Sequence, residues 1–360
     1  MEKISRGIPA LTAGLDLGDR FGQIAVLDVA GELVEEDRVA TTAAALKRRF
    51  SGCPRMRIAL ETGTHSPWVS RVLEDCGHEV IVANSRKLRL IYENRRKSDK
   101  VDALYLARVA RLDPRLLWPV RHRGAGAQKD MTLLRSRHAL VASRTLLINH
   151  ARGLVKSLGG RLPGCSSGSF SKKVIASLPQ PLEPGLQAVL ETIGQITQTI
   201  KQLERRIEAV AEQSYPETKL LRRVGGIGPI TALAYVLTIE DPSRFARSRT
   251  VGAFLGLVAG SKSSGDSDPQ MRITKEGDPF LRGLLVNAAH YILGPFGPDC
   301  DLRRFGSKIA SRGGKNAKKR AVVAVARKLA VLLHHLWRWA EVYEPFYQDT
   351  HAPRRRGKVA

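Results

Sequence analysis

Four acidic residues in the first third of the chain, Asp16, Glu61, Asp99 and Asp102, stand where catalysis would need them. Asp16 interrupts the strand-like run Gly14-Leu15-Asp16-Leu17-Gly18, with leucines on the opposite face of the pleat. Asp is disfavoured inside strands, so its presence calls for a reason. Glu61 follows Ile58-Ala59-Leu60 at the carboxyl end of another strand-like run, the end where α/β sheets hold their sites. Asp99 and Asp102, three apart at the start of a helical pattern, project from one face. Four converging carboxylates are stable together only when divalent cations neutralise them. Two hard cations about 3.5–4 Å apart, held by oxygen ligands, activate a nucleophile and stabilise the leaving oxygen in phosphodiester cleavage. Each acid also has a structural reading: Asp16 as the start of a hairpin turn, Glu61 as a cap on the next helix, Asp99 and Asp102 as an N-cap and an acidic N3.

The surrounding patterns supply elements able to position these acids. Leu15–Leu17 and Gln23–Asp28 read as strands joined by a turn at Gly18-Asp19-Arg20, and Glu32–Ala40 as a third strand of an antiparallel meander. Thr42–Phe50 reads as a helix, Arg57–Glu61 as a strand, Pro67–Asp75 as a helix and Glu79–Ala83 as a strand, with a further helix from about Asp99. This order predicts a mixed sheet with helices packed on it. Long helical patterns cover Ala127–Leu158 and Leu186–Glu212, separated by the Gly/Ser/Pro-rich stretch Gly159–Pro184. Periodicity fits either an antiparallel hairpin or an intersubunit coiled coil. From Tyr215 onward come the run RRVGGIGPI at Arg222–Ile230, a Gly/Ser/Lys loop at Gly256–Asp268, and helical patterns at Pro279–Leu293 and Lys318–Tyr343. The expected division is 1–122, 123–214 as a helical connector, 215–348, and 349–360 as a basic tail.

Composition narrows the partners. The 360 residues exceed one usual domain, and 43% hydrophobic with 26% charged residues excludes wholesale disorder. Lys and Arg number 59 against 34 Asp and Glu, a formal net charge of +25 that points first to nucleic acid. No apolar run reaches about 18 residues and no signal peptide opens the chain, so no membrane role and a cytoplasmic, nucleoid-associated location are expected. Cys53, Cys76, Cys165 and Cys300 have neither zinc-finger nor disulfide-framework spacing. Ten Lys or Arg and no acid occur between Leu302 and Lys328, among them Lys315, Lys318, Lys319 and Arg320. A second basic group, including Arg95, Arg96 and Lys97, adjoins the acids. Either run could hold a nucleic-acid backbone or form a solvated charged face.

The runs Gly14-Leu15-Asp16-Leu17-Gly18, Leu60-Glu61-Thr62-Gly63-Thr64 and Lys97-Ser98-Asp99-Lys100-Val101-Asp102-Ala103 together resemble the DEDD signature of a bacterial insertion-sequence transposase family, the bridge-RNA-guided recombinases. The likeness continues through Val224-Gly225-Gly226-Ile227-Gly228-Pro229, Phe254-Leu255-Gly256-Leu257-Val258, Ser263-Ser264-Gly265 and Ile273-Thr274-Lys275-Glu276-Gly277-Asp278-Pro279. It implies an α/β RuvC-like (ribonuclease H-like) domain, a helical or coiled-coil connector and a mostly α-helical carboxyl-terminal transposase domain. It further implies Mg²⁺ or Mn²⁺ on the four acids, donor and target DNA and a structured guide RNA as partners, and assembly as a dimer or tetramer.

The same resemblance makes Ser264 the candidate nucleophile, with Ser263 as second choice because Ala259-Gly260 departs from the family pattern. By composition alone Ser264 is one of several loop serines. A serine oxygen that attacks a phosphodiester conserves the bond for rejoining to another strand. Lys262, Arg272 and Lys275 could offset charge on the reacting phosphate. Gly225-Gly226-Ile227-Gly228-Pro229 looks like the hairpin of a helix-hairpin-helix, able to bind a backbone phosphate, or a plain interhelical turn. Two other functions remain open: a hydrolytic nuclease such as a junction resolvase using the same acids with water, and a nonenzymatic nucleic-acid-binding protein with capping carboxylates.

Overall fold

Short, mostly apolar runs near the amino terminus form a five-stranded sheet of order β3-β2-β1-β4-β5 in the computed structural model. The structure describes residues 9–88, 98–175, 178, 183–262 and 271–347. Strands β1 (Thr12–Leu17), β2 (Phe21–Leu27) and β3 (Leu33–Ala40) make the antiparallel meander, while β4 (Arg57–Glu61) and β5 (Glu79–Ala83) run parallel to β1. Helix α1 (Ala43–Phe50), capped by the Thr42 side chain, and α2 (Ser66–Asp75) lie between strands in sequence.

Strand period sorts the side chains onto two faces. Ala13, Leu15, Ile58 and Leu60 point into a core with Leu46 and Phe50 of α1 and Val69 and Leu73 of α2. On the other face, Ala59, Ile81 and Ala83 pack on Leu106 and Ala110 of α3 (Asp99–Leu112). This unit ends at Arg123, and a second begins at Gly124.

In the second unit, α4 (Ala125–Ser157) and α6 (Glu183–Ser214) pack on each other within one chain. Met131 and Leu134 share a core with Ile207 and Ala211, whereas Ile148 and Val155 share another with Leu190 and Ile193. Early α4 therefore meets late α6, which is the antiparallel hairpin. Arg137 pairs with Glu204 at 2.6 Å between the two ends. The Gly/Ser/Pro-rich stretch holds a short helix, α5 (Phe170–Ile175), that sequence patterning does not suggest; Phe170 and Val174 seat it on the distal core.

The rest of the unit is built on α8 (Pro229–Ile239), whose residues from Thr231 to Ile239 are all buried. A helix buried all round carries no amphipathic period, which is why patterning does not detect it. It is preceded by α7 (Glu217–Leu221) and followed by α9 (Val251–Phe254), α10 (Pro279–Leu293), α11 (Asp301–Ala310) and α12 (Ala317–Trp339). The Tyr235 hydroxyl donates to the Ala330 carbonyl at 2.7 Å, tying α8 to α12. Among the described residues, no helix is long and apolar enough to cross a membrane.

Candidate catalytic site and nucleic-acid surfaces

Three of the four acids are brought to one face of the sheet. Gly14 and Ala59 pair across β1 and β4, as do Leu15 and Leu60, so Asp16 and Glu61 are next in register on strands about 4.8 Å apart. Two-residue alternation puts Asp16 on the side of Gly14 and Glu61 on the side of Ala59, which is the α3 side.

Helix α3 runs against the strand direction. The Arg57 guanidinium, at the start of β4, donates to the Ala110 carbonyl near the helix end at 3.3 Å. Eight helical residues from Ala110 back to Asp102 span about 12 Å. Four strand residues from Thr12, the partner of Arg57, to Asp16 span about 13 Å. The first turn of α3 thus lies over the carboxyl ends of β1 and β4. Asp102 is buried at 8% exposure on the sheet-facing side, and Asp99 is exposed one turn earlier.

Gly14 permits this approach. A Cβ there would stand 1.9 Å from the Ala103 carbonyl oxygen and 2.6 Å from the Ala107 nitrogen. The helix backbone therefore lies directly on the strand, one residue from Asp102. The oxygen-only donor set suits a hard cation such as Mg²⁺. Among the described residues, no three His, Cys, Asp or Glu are grouped closely enough to hold a metal ion, so the acids share a face without a preformed cage.

The capping readings also have answers here. Ser98, not Asp99, is the N-cap of α3, its hydroxyl accepting from the Val101 nitrogen at 3.4 Å. The helix after Glu61 begins at Ser66, with His65 rather than Glu61 as its N-cap residue. One interaction is absent from the sequence reading: His65 Nε2 meets Asp19 Oδ1 at 3.2 Å, linking the loop after β1 to the loop after β4. A histidine four residues beyond the strand-end acid is the available signal.

Ser263 and Ser264 lie outside the described residues, as do Arg95, Arg96 and Lys97 and the tail 349–360. Backbone pairing closes the base of the serine loop. Ala259 and Ile273 form an antiparallel bridge, the Gly260 nitrogen donates to the Arg272 carbonyl and the Thr274 nitrogen to the Val258 carbonyl, both at 2.9 Å. Below it two glycines cross at backbone contact. A Cβ on Gly256, at φ +65°, would lie 2.2 Å from the Glu276 oxygen, and one on Gly277, at φ +76°, 2.0 Å from the Phe254 oxygen. Lys262, Arg272 and Lys275 are exposed around this base.

The Gly225–Pro229 run is the turn between α7 and α8, with Pro229 as the first residue of α8. It borders an open cleft of about 500 Å³ with Tyr291 and Asn287 of α10. Arg222 at its edge is paired with Glu208 at 3.2 Å. Lys315, Lys318, Lys319 and Arg320 are exposed on the turn before α12 and on its first turn. No acid occupies that first turn, so the cations oppose the helix dipole there, an arrangement that an anion would relieve.

Comparison with known proteins places the chain among transposases. Residues 218–298 match the family profile described as "Transposase IS116/IS110/IS902 family". Residues 13–159 match a DEDD transposase profile of the IS110 group, a span containing all four acids. A "Probable family 20 transposase" of Pseudomonas aeruginosa is 29% identical over 340 residues, covering 92% of this chain and 98% of the relative. The transposase for insertion sequence element IS1111A of Coxiella burnetii is 28% identical, covering 92% and 90%. That for IS1328 of Yersinia enterocolitica is 27% identical, covering 77% and 82%.

Proposed function

Because the chain belongs to the IS110/IS116/IS902 family of insertion-sequence transposases, we propose that it cuts and rejoins DNA through a covalent serine–DNA intermediate, guided by a structured RNA. The placement of Asp16, Glu61 and the Asp102 helix turn on one face, at the carboxyl ends of adjacent strands, is the observation that carries the catalytic reading. Asp16, Glu61, Asp99 and Asp102 are the residues that hold divalent metal, Mg²⁺ or Mn²⁺, in this reading. A cation held by these carboxylates would supply Lewis-acid activation of an attacking oxygen and charge neutralisation at the leaving oxygen. The close seat of Gly14 holds the acid-bearing end of the helix on the sheet, and the buried Arg57 ties down its other end.

Ser264 supplies the nucleophile: its Oγ attacks phosphorus, its proton passes to a base or water, and the displaced DNA oxygen leaves protonated. The phosphodiester is exchanged rather than hydrolysed, so rejoining to a different strand needs no ATP. Lys262, Arg272 and Lys275 surround the base of that loop with positive charge and steady the phosphate in this scheme. Lys315, Lys318, Lys319 and Arg320 hold backbone, as do Arg95, Arg96 and Lys97, which precede Asp99 in sequence. The guide RNA pairs with donor and target DNA, leaving shape and backbone to the protein. The +25 charge supports that division of labour. Two DNAs cut on paired strands require several active sites, hence a dimer or tetramer. The exposed Leu146 and Leu154 on α4 supply apolar surface for such packing.

The deciding experiment incubates the full chain with Mg²⁺, element-end DNA as a labelled suicide substrate and RNA transcribed from the element. A denaturation-resistant protein–DNA band, lost in Ser264→Ala and mapping to the Ser264 peptide, is the expected result. A link at Ser263 moves the nucleophile by one residue. Abundant cleavage without adduct, undiminished in Ser264→Ala, replaces the recombinase by a hydrolytic nuclease. Nucleic-acid binding with no cleavage under any condition leaves a binding protein.

A further inference from the structure

The distal end of the α4–α6 hairpin carries a basic concavity that none of the acids or loops described above uses. No Asp or Glu occurs between Met131 and Leu182, while that stretch holds eight Lys or Arg. Three of the eight, Arg152, Lys156 and Arg161, line one cleft of about 680 Å³ where α4 ends in the turn Gly159-Gly160. Arg152 and Lys156 are four apart on the last turns of α4, so their charges stand on one side of the helix and repel. Arg161 reaches the same cleft from beyond the helix end. Among the described residues none of the three has an ion-pair partner. The Arg152 guanidinium lies over the buried Phe170 ring at 5.3 Å, so its stem is anchored while Lys156 and Arg161 are exposed.

A capping role accounts for only part of this. Lys156 in the last turn complements the negative end of the helix dipole, but Arg161 lies outside the helix, and Arg152 is more than one turn from its end. Three cations, with no acid among the described residues that line the concave opening, match a run of phosphates, the one polyanion that this transposase family meets in quantity. We propose that the tip of the helical hairpin is a second nucleic-acid site, in which Arg152, Lys156 and Arg161 grip a phosphodiester backbone without reading its sequence. Neutralising phosphates there releases counterions and relieves the repulsion between the three side chains. The proposal concerns binding alone and stands whether or not Ser264 forms a covalent link.

The test measures affinity of the full chain, without divalent cation, for a 30-base-pair DNA duplex and separately for a structured RNA hairpin over a salt series. The exposed double variant Lys156→Gln/Arg161→Gln cannot disturb the core, and the triple variant adding Arg152→Gln is followed by thermal melting. A reduction of the log–log salt slope by about 2 in the double variant, with about tenfold weaker binding, is expected, since each duplex phosphate left unneutralised removes about 0.9 from the slope and each single-strand phosphate about 0.7. The variant Arg161→Lys should retain wild-type slope. A slope that falls only with RNA assigns the tip to RNA, and only with DNA to a duplex. Slopes unchanged with both probes in the double variant overturn the proposal.

Discussion

At the scale of single residues, the acids and the glycine beside them make separable demands. In Asp16→Asn, Glu61→Gln and Asp102→Asn, loss of one carboxylate charge is expected to lower Mg²⁺-dependent strand cleavage by about 100-fold or more, several kcal/mol of transition-state stabilisation. Asp99→Asn, at an exposed position, should lose cleavage while leaving the melting temperature within about a degree or two of wild type. The check pairs a cleavage assay with a melting curve, and variants that melt early but cut normally would return the acids to structural roles. Gly14→Ala fails differently. Its methyl meets the Ala103 carbonyl at 1.9 Å, so α3 must move off β1 at a cost of about 1–3 kcal/mol or more. Chemical denaturation should show that destabilisation together with a fall in cleavage, because the displaced turn carries Asp102.

At the scale of elements, close backbone approaches and buried polar groups determine which segments hold still. The His334 ring on α12 is fully buried, its Nε2 donating to the Pro242 carbonyl at 2.9 Å and its Nδ1 accepting from the Ser248 hydroxyl at 2.8 Å. Burial lowers its pKa from the ordinary histidine value, with Arg338 and His335 adding to the effect and the bond to Pro242 opposing it. The unfolded chain therefore takes up a proton first as pH falls. The contribution of the neutral ring is complete above about pH 6.5 and is lost as pH drops through the lower folded value. His122 shares the sign, lowered by burial and by Arg71 and Arg123. Urea midpoints at pH 7.5 and 5.5 should differ in wild type, and less in His334→Gln, which starts out weaker. An equal pH dependence in the two proteins would remove His334 from the account. Gly256→Ala belongs here too. With φ at +65° and the Glu276 oxygen 2.2 Å from the new Cβ, it should loosen the base of the Ser264 loop, seen as faster amide exchange at Gly260 and Thr274.

For the whole molecule, a formal charge of +25 makes binding strongly salt-dependent. Affinity for duplex DNA is expected to fall linearly with salt on log–log axes, and changing Lys315, Lys318, Lys319 and Arg320 together to Gln should lower the slope by about 0.9 for each phosphate that is no longer neutralised. A slope unchanged by the quadruple variant moves the backbone-binding surface elsewhere. These four cations crowd the start of α12 against the helix dipole, so their removal should leave the melting temperature equal or higher. Stability retained with weaker binding would separate a binding surface from a solvated charged face.

Strand and helix order in the first unit was legible because its signals are local. Short, mostly apolar runs mark β1, β4 and β5, and Asp16 stood out by being polar where a strand is otherwise apolar. The resemblance to the family was readable from the spacing of short runs, and the acids entered the reading as candidates by residue type alone. Which face those acids share was a tertiary matter, decided by the parallel register of β1 with β4 and by the seat that Gly14 gives to α3. Periodicity could not choose between pairing within a chain and pairing between chains, since both bury the same stripe; the distal core of Phe170, Val174 and Leu190 made the hairpin intramolecular. Helix α8 had no period to read because it is buried on every side. The basic cleft at the hairpin tip was equally hidden: Arg152, Lys156 and Arg161 are unremarkable in sequence and become one site only where a helix end and a loop fold back on each other.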